Sequence, residues 1–323
     1  MTIGFTCVPP FGDRSVGHCR SGRNWQASLH YAAMSRRNPG KKKNGKGQNK
    51  AKAKAKGRSK RTAKTSDIHE LYELSVQDTE AECEFVDQVW KERRRRLARH
   101  LREDFCGTAA TSMEWVKLRK DNTAIGVDIE PSVLAWGKAR IDDRLDEDQQ
   151  ARLTLQQGDV RTVRTKPVEC VLAMNFSYFL FKTRKDMCKY FKHVRSSLVE
   201  DGMFLLDAYG GSESFEELEE PRKVKGFTYV WDQHAYNPIT GDAVNYIHFE
   251  FPDGSKIKKA FEYDWRLWTL PELQELLTEA GFRKVTVYWE GTDEETEEGD
   301  GEFKPTTVGE ACEGWIAYLV AEK

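Results

Sequence analysis

The chain has 323 residues, 39% of them hydrophobic, with 51 basic side chains against 52 acidic ones, enough for one large domain or two modest ones. Seven cysteines without a C-x-x-C pair indicate neither a zinc site nor a disulfide framework, so no metal is expected and the reading is a cytoplasmic protein in a reducing compartment. No run of about eighteen apolar residues occurs, which excludes a membrane-spanning helix.

The balanced total hides a segregation of charge. Residues 1–66 hold 17 basic side chains and one acid, leaving 34 basic and 51 acidic side chains for the rest, so a basic arm is joined to an acidic body. The first 33 residues are acid-poor and loosely like a transit segment but lack an amphipathic stripe, and Met34 is expected to be the true start. The stretch up to Ser66, with its AKAKAKGRSKRTAK run, cannot bury enough apolar area to offset chain entropy and is expected to be a disordered arm. Its fourteen cations between residues 36 and 64 suit non-specific, salt-sensitive binding of RNA or another polyanion. A solubilising tail without a partner is the plainer alternative.

From Asp67 onward apolar residues recur at helical spacing, and helices are expected near 67–75 and 79–97. The body then alternates strands (Leu97–Asp104, Thr123–Ile129, Leu153–Gln157, Val168–Asn175, Met203–Tyr209) with helices (Ala109–Lys120, Ser132–Ala139, Glu147–Ala151, Arg184–Leu198), the order of a doubly wound α/β sheet. Three strand-like runs, Phe227–Tyr236, Ala243–Phe251 and Ile257–Trp268, are separated by the turn sequences NPITGD and PDGS and read as an inserted antiparallel meander. Thr269 and Glu272 form a capping box for a helix that stops at Gly281. Two closing strands, Lys284–Glu290 and Trp315–Ala321, flank an acid-rich loop, Gly291–Glu302.

The chemistry is concentrated at Glu103-Asp104-Phe105-Cys106-Gly107-Thr108-Ala109. A strand, a tight turn at glycine and a helix N-terminus bring backbone N–H groups close to a nucleotide-like ligand. Asp128, at the end of the next strand, is spaced to accept ribose hydroxyls, and Asp159, after the following strand, to take an adenine amino proton.

As an ordered set, LREDFCGTA, GVDIEPSVL, QGDV, NFSYFLFKTR and DGMFLLDAYGG resemble the motifs of class I S-adenosylmethionine-dependent methyltransferases over about residues 67–323. The resemblance implies a Rossmann-like, mostly parallel sheet with the last strand antiparallel, and S-adenosylmethionine as cofactor. It places Glu103 at the motif acid, Gly107 at the central glycine, Asp128 with Ile129 at the ribose, Asp159 with Val160 at the adenine, and Asn175 at the strand tip facing the methyl donor. Phe105 and Ala109 stand where the family usually has glycine, which leaves less room beside the methionine part of the cofactor. The polar strand carrying Arg99, Arg102 and Glu103 is unusual for a central position; its charges are expected to pair with each other and with the cofactor. Tyr72 and Gln77 resemble lid positions.

Methyl transfer from a sulfonium is an in-line displacement needing alignment, exclusion of water and, for an amine or hydroxyl acceptor, removal of a proton. His234 is the candidate general base, with Tyr209 or Tyr236 to orient it. The meander, placed where small-molecule methyltransferases build an acceptor lid, favours a small-molecule acceptor, and the N/D-P-P-Y signature of amino-group methylation is absent. Two alternatives stay open: an RNA- or ribosome-directed methyltransferase tethered by the arm, and a nucleic-acid-binding protein with a degenerate fold. A dinucleotide oxidoreductase would need G-x-G-x-x-G, and only one glycine is present.

Overall fold

The computed structural model describes residues 61–293 and 299–323. Most of the predicted basic arm therefore lies outside the described residues. Its last six residues lie against the body: Arg61 pairs with Glu70 at 2.7 Å, and the Ala63 N–H donates to Ser255 Oγ.

Two helices open the body, α1 (Ile68–Ser75), capped by Asp67, and α2 (Thr79–Arg94), capped by Asp78. There follow β1 (His100–Asp104), α3 (Ala110–Leu118), β2 (Thr123–Asp128), α4 (Pro131–Arg144), α5 (Glu147–Ala151), β3 (Leu153–Gln157), β4 (Val168–Ala173), α6 (Arg184–Ser197) and β5 (Leu198–Gly210). β3-β2-β1-β4-β5 form a parallel sheet; helices link β1 to β2, β2 to β3 and β4 to β5, and a loop without a helix links β3 to β4. The last strand, β12 (Trp315–Glu322), runs antiparallel against β5 and is followed in the sheet by β10 (Lys284–Thr292) and β11 (Gly299–Thr306). The doubly wound sheet with an antiparallel last strand is thus the observed architecture.

Between β5 and α7 (Leu270–Glu279) the chain builds a separate antiparallel sheet, β6 (Leu218–Val224), β7 (Phe227–Asn237), β8 (Asp242–Glu250) and β9 (Lys256–Arg266). It has four strands rather than the three expected. β6 reads LEEPRKV, in which a proline and four charges hide the strand pattern; such residues are tolerated because β6 is an edge. β11 hides for the same reason: GDGEFKPT, with two glycines and a proline, pairs along the other sheet's edge inside what reads as the tail of an acidic loop. The Thr269–Glu272 capping box forms as expected.

β1 is the polar central strand, and the structure shows how it is tolerated. Successive side chains point to opposite faces. On one face Arg102, wholly buried, makes a two-pronged contact with Asp104, Nε to Oδ1 at 2.7 Å and Nη2 to Oδ2 at 3.0 Å. The Tyr190 hydroxyl donates to Asp104 Oδ2 at 2.9 Å. On the other face Glu103 points toward α3. Arg99, before the strand, pairs at the surface with Asp121. Removing one partner of a buried pair leaves an uncompensated charge, so Asp104→Asn is expected to destabilise the fold by about 3–5 kcal/mol. Chemical denaturation checks this, and a loss below about 1 kcal/mol would contradict it.

Candidate active site

The link from β1 to α3 rises through three left-handed residues at alternate positions, Phe105 (φ 56°), Gly107 (φ 52°) and Ala109 (φ 60°). The two positions that depart from the expected glycines therefore adopt the glycine-favouring backbone, at a cost of roughly 1–2 kcal/mol each. Packing and hydrogen bonds hold them there. Ala109 is fully buried, Phe105 packs edge-on against Tyr190, and the Ala109 N–H bonds the Cys106 carbonyl at 2.7 Å. The loop is also squeezed between two other glycines. A Cβ on Gly126 would meet Cys106 Sγ at 3.0 Å, and one on Gly137 would meet the Thr108 carbonyl oxygen at 2.7 Å. Gly107 is different, since a Cβ there would meet nothing within 4 Å; its open side is the cavity.

That cavity, of about 310 Å³, lies over the carboxyl ends of β1, β2 and β4. It is lined by Glu103, Phe105, Gly107 and Asp128 below and by Tyr72, Gln77, Phe261 and Tyr263 above, with Asn175 at its side. Asp128 accepts the Gly107 N–H on one oxygen at 2.8 Å and the Glu130 N–H on the other at 2.9 Å, and each oxygen keeps a further lone pair. Glu103 Oε2 accepts both the Ser112 N–H (2.8 Å) and its hydroxyl (2.5 Å), capping α3. Burial pushes its carboxyl up to about 7. Above the loop, Glu73 of α1 accepts from Thr108 Oγ1 at 2.8 Å and pairs with Arg144 at 3.0 Å, so α1 is tied down as a cover.

Asn175 follows β4 in a left-handed conformation (φ 59°), and so does Phe176 (φ 57°). Both N–H groups donate to the buried Asp207 carboxylate, at 2.7 and 2.9 Å. Asp207 was not singled out in the sequence, although an acid inside the apolar run FLLDAY was a signal. Burial raises its carboxyl to about 7 and that of Glu82, which accepts from Thr111 Oγ1, to about 8. Both line a small void that shares Asn175 with the main cavity.

Other sequence candidates lie elsewhere. The structure does not bring His234 to the cavity: it sits on β7 with its side chain 54% exposed, 3.9 Å from Asp232 and against Tyr246. Tyr209 is buried among Phe176 and Phe179, and Tyr236 packs on Phe215; neither lines the cavity. The reason is strand parity: the side chains of β7 alternate between faces, and Tyr229 and Trp231 face inward. Asp159 is held by Arg161 through side chain and backbone, Val160 is buried, and Ile129 is 66% exposed; none of the three lines the cavity. Cys106 is buried, with its thiol pushed well up by desolvation, which suits an inert loop residue.

Glu219, Asp232 and His248 approach one another on the outer face of the second sheet. The Lys259 N–H donates to His248 Nδ1 at 2.7 Å, leaving the proton on Nε2, which faces Asp232 at 3.0 Å. A protonated Nε2 cannot ligate a metal.

No protein-family model and no curated relative matches the sequence. Solved structures match the fold. A S-adenosylmethionine-dependent methyltransferase from Clostridium acetobutylicum aligns with a TM-score of 0.58 at 16% identity, over 79% of this chain and 97% of its own. An amino pentose methyltransferase from Micromonospora echinaspora, solved with S-adenosylmethionine bound, gives 0.56 at 17% identity over 80% and 97%. A sugar N-methyltransferase from Streptoalloteichus gives 0.54 at 18% identity over 88% and 99%. The chain has the fold of the S-adenosylmethionine-dependent methyltransferases. Among the described residues no helix is long and apolar enough to cross a membrane.

Gly137→Ala lies outside the cavity, yet it would push the Thr108 carbonyl; it is expected to lower stability by about 1–3 kcal/mol and to weaken ligand binding at the loop, read by denaturation and by calorimetry. Glu82, Glu103 and Asp207 have folded pKa values of about 8, 7 and 7, raised first by desolvation from ordinary values of 4.5, 4.5 and 3.8. The native state therefore holds protons that the unfolded chain has released, and stability is greatest on the acid side of this window. It is expected to fall as pH rises from about 5 to 8, by up to about 1.4 kcal/mol per pH unit for each titrating group. Thermal unfolding across that range measures it; a melting temperature that climbs with pH would contradict it.

Proposed function

We propose that this protein is a S-adenosylmethionine-dependent methyltransferase acting on a small molecule. The observation that carries the reading is the cavity floor, where the left-handed loop, Glu103, Asp128 and Asn175 converge from the tips of β1, β2 and β4. The residues fit the cofactor. The open side of Gly107 admits close approach of a ligand, Glu103 offers a carboxylate to an ammonium, and Asp128 offers spare lone pairs to vicinal hydroxyls. When bound, the cofactor supplies an electrophilic methyl group on a sulfonium.

The chain's own residues hold and align the two reactants. Tyr72 and Phe261, whose rings pack at 4.9 Å, close the cavity from above and exclude water. Asn175, pinned by Asp207, borders both the main cavity and the aromatic space beyond it, where an acceptor's reacting atom would stand. A proton released by the acceptor passes to a carboxylate rather than to His234. Glu82, beside Asn175 in the adjoining void, is the carboxylate for that task; burial keeps it mostly protonated at neutral pH, so the step is expected to quicken as pH rises through about 8. The small size of the spaces and the sugar-directed activity named for two of the structural neighbours support a small acceptor.

Calorimetric titration with S-adenosylmethionine and S-adenosylhomocysteine tests this reading. Saturable binding is expected, and Asp128→Ala, which frees the Gly107 N–H as well as removing the hydroxyl acceptor, is expected to weaken it by about tenfold or more. No binding to the wild-type protein would overturn the assignment.

A further inference from the structure

Beyond Asn175 the cavity narrows into a second space of about 20 Å³ walled by Tyr72, Phe176, Tyr229, Trp231, Tyr263 and Trp265. Tyr72, Asn175 and Tyr263 border both spaces, so the second continues from the first. Its one charged lining residue is Arg222, on the inner face of β6. The Arg222 guanidinium lies 5.0 Å from the centre of the Tyr229 ring, and Nη2 donates to the Ser75 carbonyl at the end of α1. Its Nε is buried without a hydrogen-bond partner.

Arg222 makes no ion pair among the described residues. Glu220, two residues along the same face, forms no hydrogen bond with it and has a buried oxygen without a partner. The contrast is Arg102, whose Nε and Nη2 both reach the Asp104 carboxylate although its Nη1 has no partner. A guanidinium taken out of water needs an anion to offset its desolvation, and burial holds Arg222 below its ordinary range. The protein builds a cation into an aromatic recess beside the reacting position and leaves its Nε–H free.

We propose that Arg222 recognises a carboxylate on the methyl acceptor, and that the acceptor is a small, flat carboxylic acid whose acid group enters the aromatic recess. This rests on the methyltransferase reading for the word acceptor, but not for the anion site itself. The recess, of about 20 Å³, admits a group little larger than a water, enough for a carboxylate oxygen at the guanidinium, and its aromatic walls suit a planar neighbour. The remainder of the molecule lies toward Asn175, where Tyr72 and Tyr263 flank the opening. Arginine suits this role because its planar fork matches a carboxylate, which a point-charge ammonium does not.

The test uses the full chain with S-adenosylhomocysteine present and two probe pairs, indole-3-acetate against indole-3-acetamide and 4-hydroxyphenylacetate against its amide. Binding is followed by calorimetric titration. At least one acid is expected to bind about tenfold or more tightly than its amide. That preference should vanish in Arg222→Gln and return in part in Arg222→Lys. Thermal unfolding of the variants shows whether loss of the Ser75 contact has disturbed the fold; if it has, the wild-type comparison of acid with amide decides. Equal binding of acid and amide, or no binding of either pair, overturns the proposal. If S-adenosylhomocysteine itself fails to bind, the methyltransferase reading falls, and the same comparison without it still judges the anion site.

Discussion

The buried contact between Arg102, Asp104 and Tyr190 is the constraint on which the rest of the structure depends. β1 occupies the middle of the large sheet, between β4 and β2, where an apolar run would be the ordinary solution. Here one face of the strand carries an ion pair with a tyrosine hydroxyl completing it. The opposite face thereby remains available for Glu103, whose carboxylate caps α3 and stands in the cavity floor. A strand with charges on both faces survives in a core only because each charge has a named partner.

From that strand the site is assembled by constraint of the backbone rather than by many side chains. Phe105, Gly107 and Ala109 hold left-handed conformations in a loop wedged between Gly126 and Gly137. Asn175 and Phe176 hold the same conformation under the grip of Asp207. Strain stored at the four non-glycine residues among them is maintained by the buried acids and by the packing of α4 and β2. The same acids, taken out of water, are pushed toward neutrality in their titration, which couples the stability of the unliganded protein to pH.

Charge is handled in opposite ways on the two sheets. In the large sheet Arg102 is paired with Asp104, and Glu103 and Asp207 accept backbone N–H groups. The second sheet places Arg222 in an aromatic recess with its Nε–H unused. The insert between β5 and α7 therefore contributes more than a cover: it brings to the reacting end of the cavity a charge with the chemistry to select an acceptor.

How much of this was legible in the residues differs between sheet and site. Strands β2, β4 and β5 announced themselves as short apolar runs, with Asp128 and Asn175 at their ends, whereas β1, with Glu103, is polar and was legible only through the motif that runs on to Gly107. Ile129, one step past the end of β2, and Asp159, two past the end of β3, fell outside the cavity, since a residue just past a strand end can turn to either side and Arg161 claims the Asp159 carboxylate. The edge strands β6 and β11 stayed hidden behind proline, glycine and charge. His234 was chosen as a base for its chemistry, and the parity of β7 put it on the outer face. Local sequence determined the fold class and the floor of the candidate site, because hydrophobic period and turn chemistry act between neighbours along the chain. Only the tertiary structure decided which acids are buried together, which aromatic face closes the cavity and where Arg222 stands, because Glu82 with Asp207, Tyr72 with Phe261 and Arg222 with Ser75 are each more than a hundred residues apart in the chain.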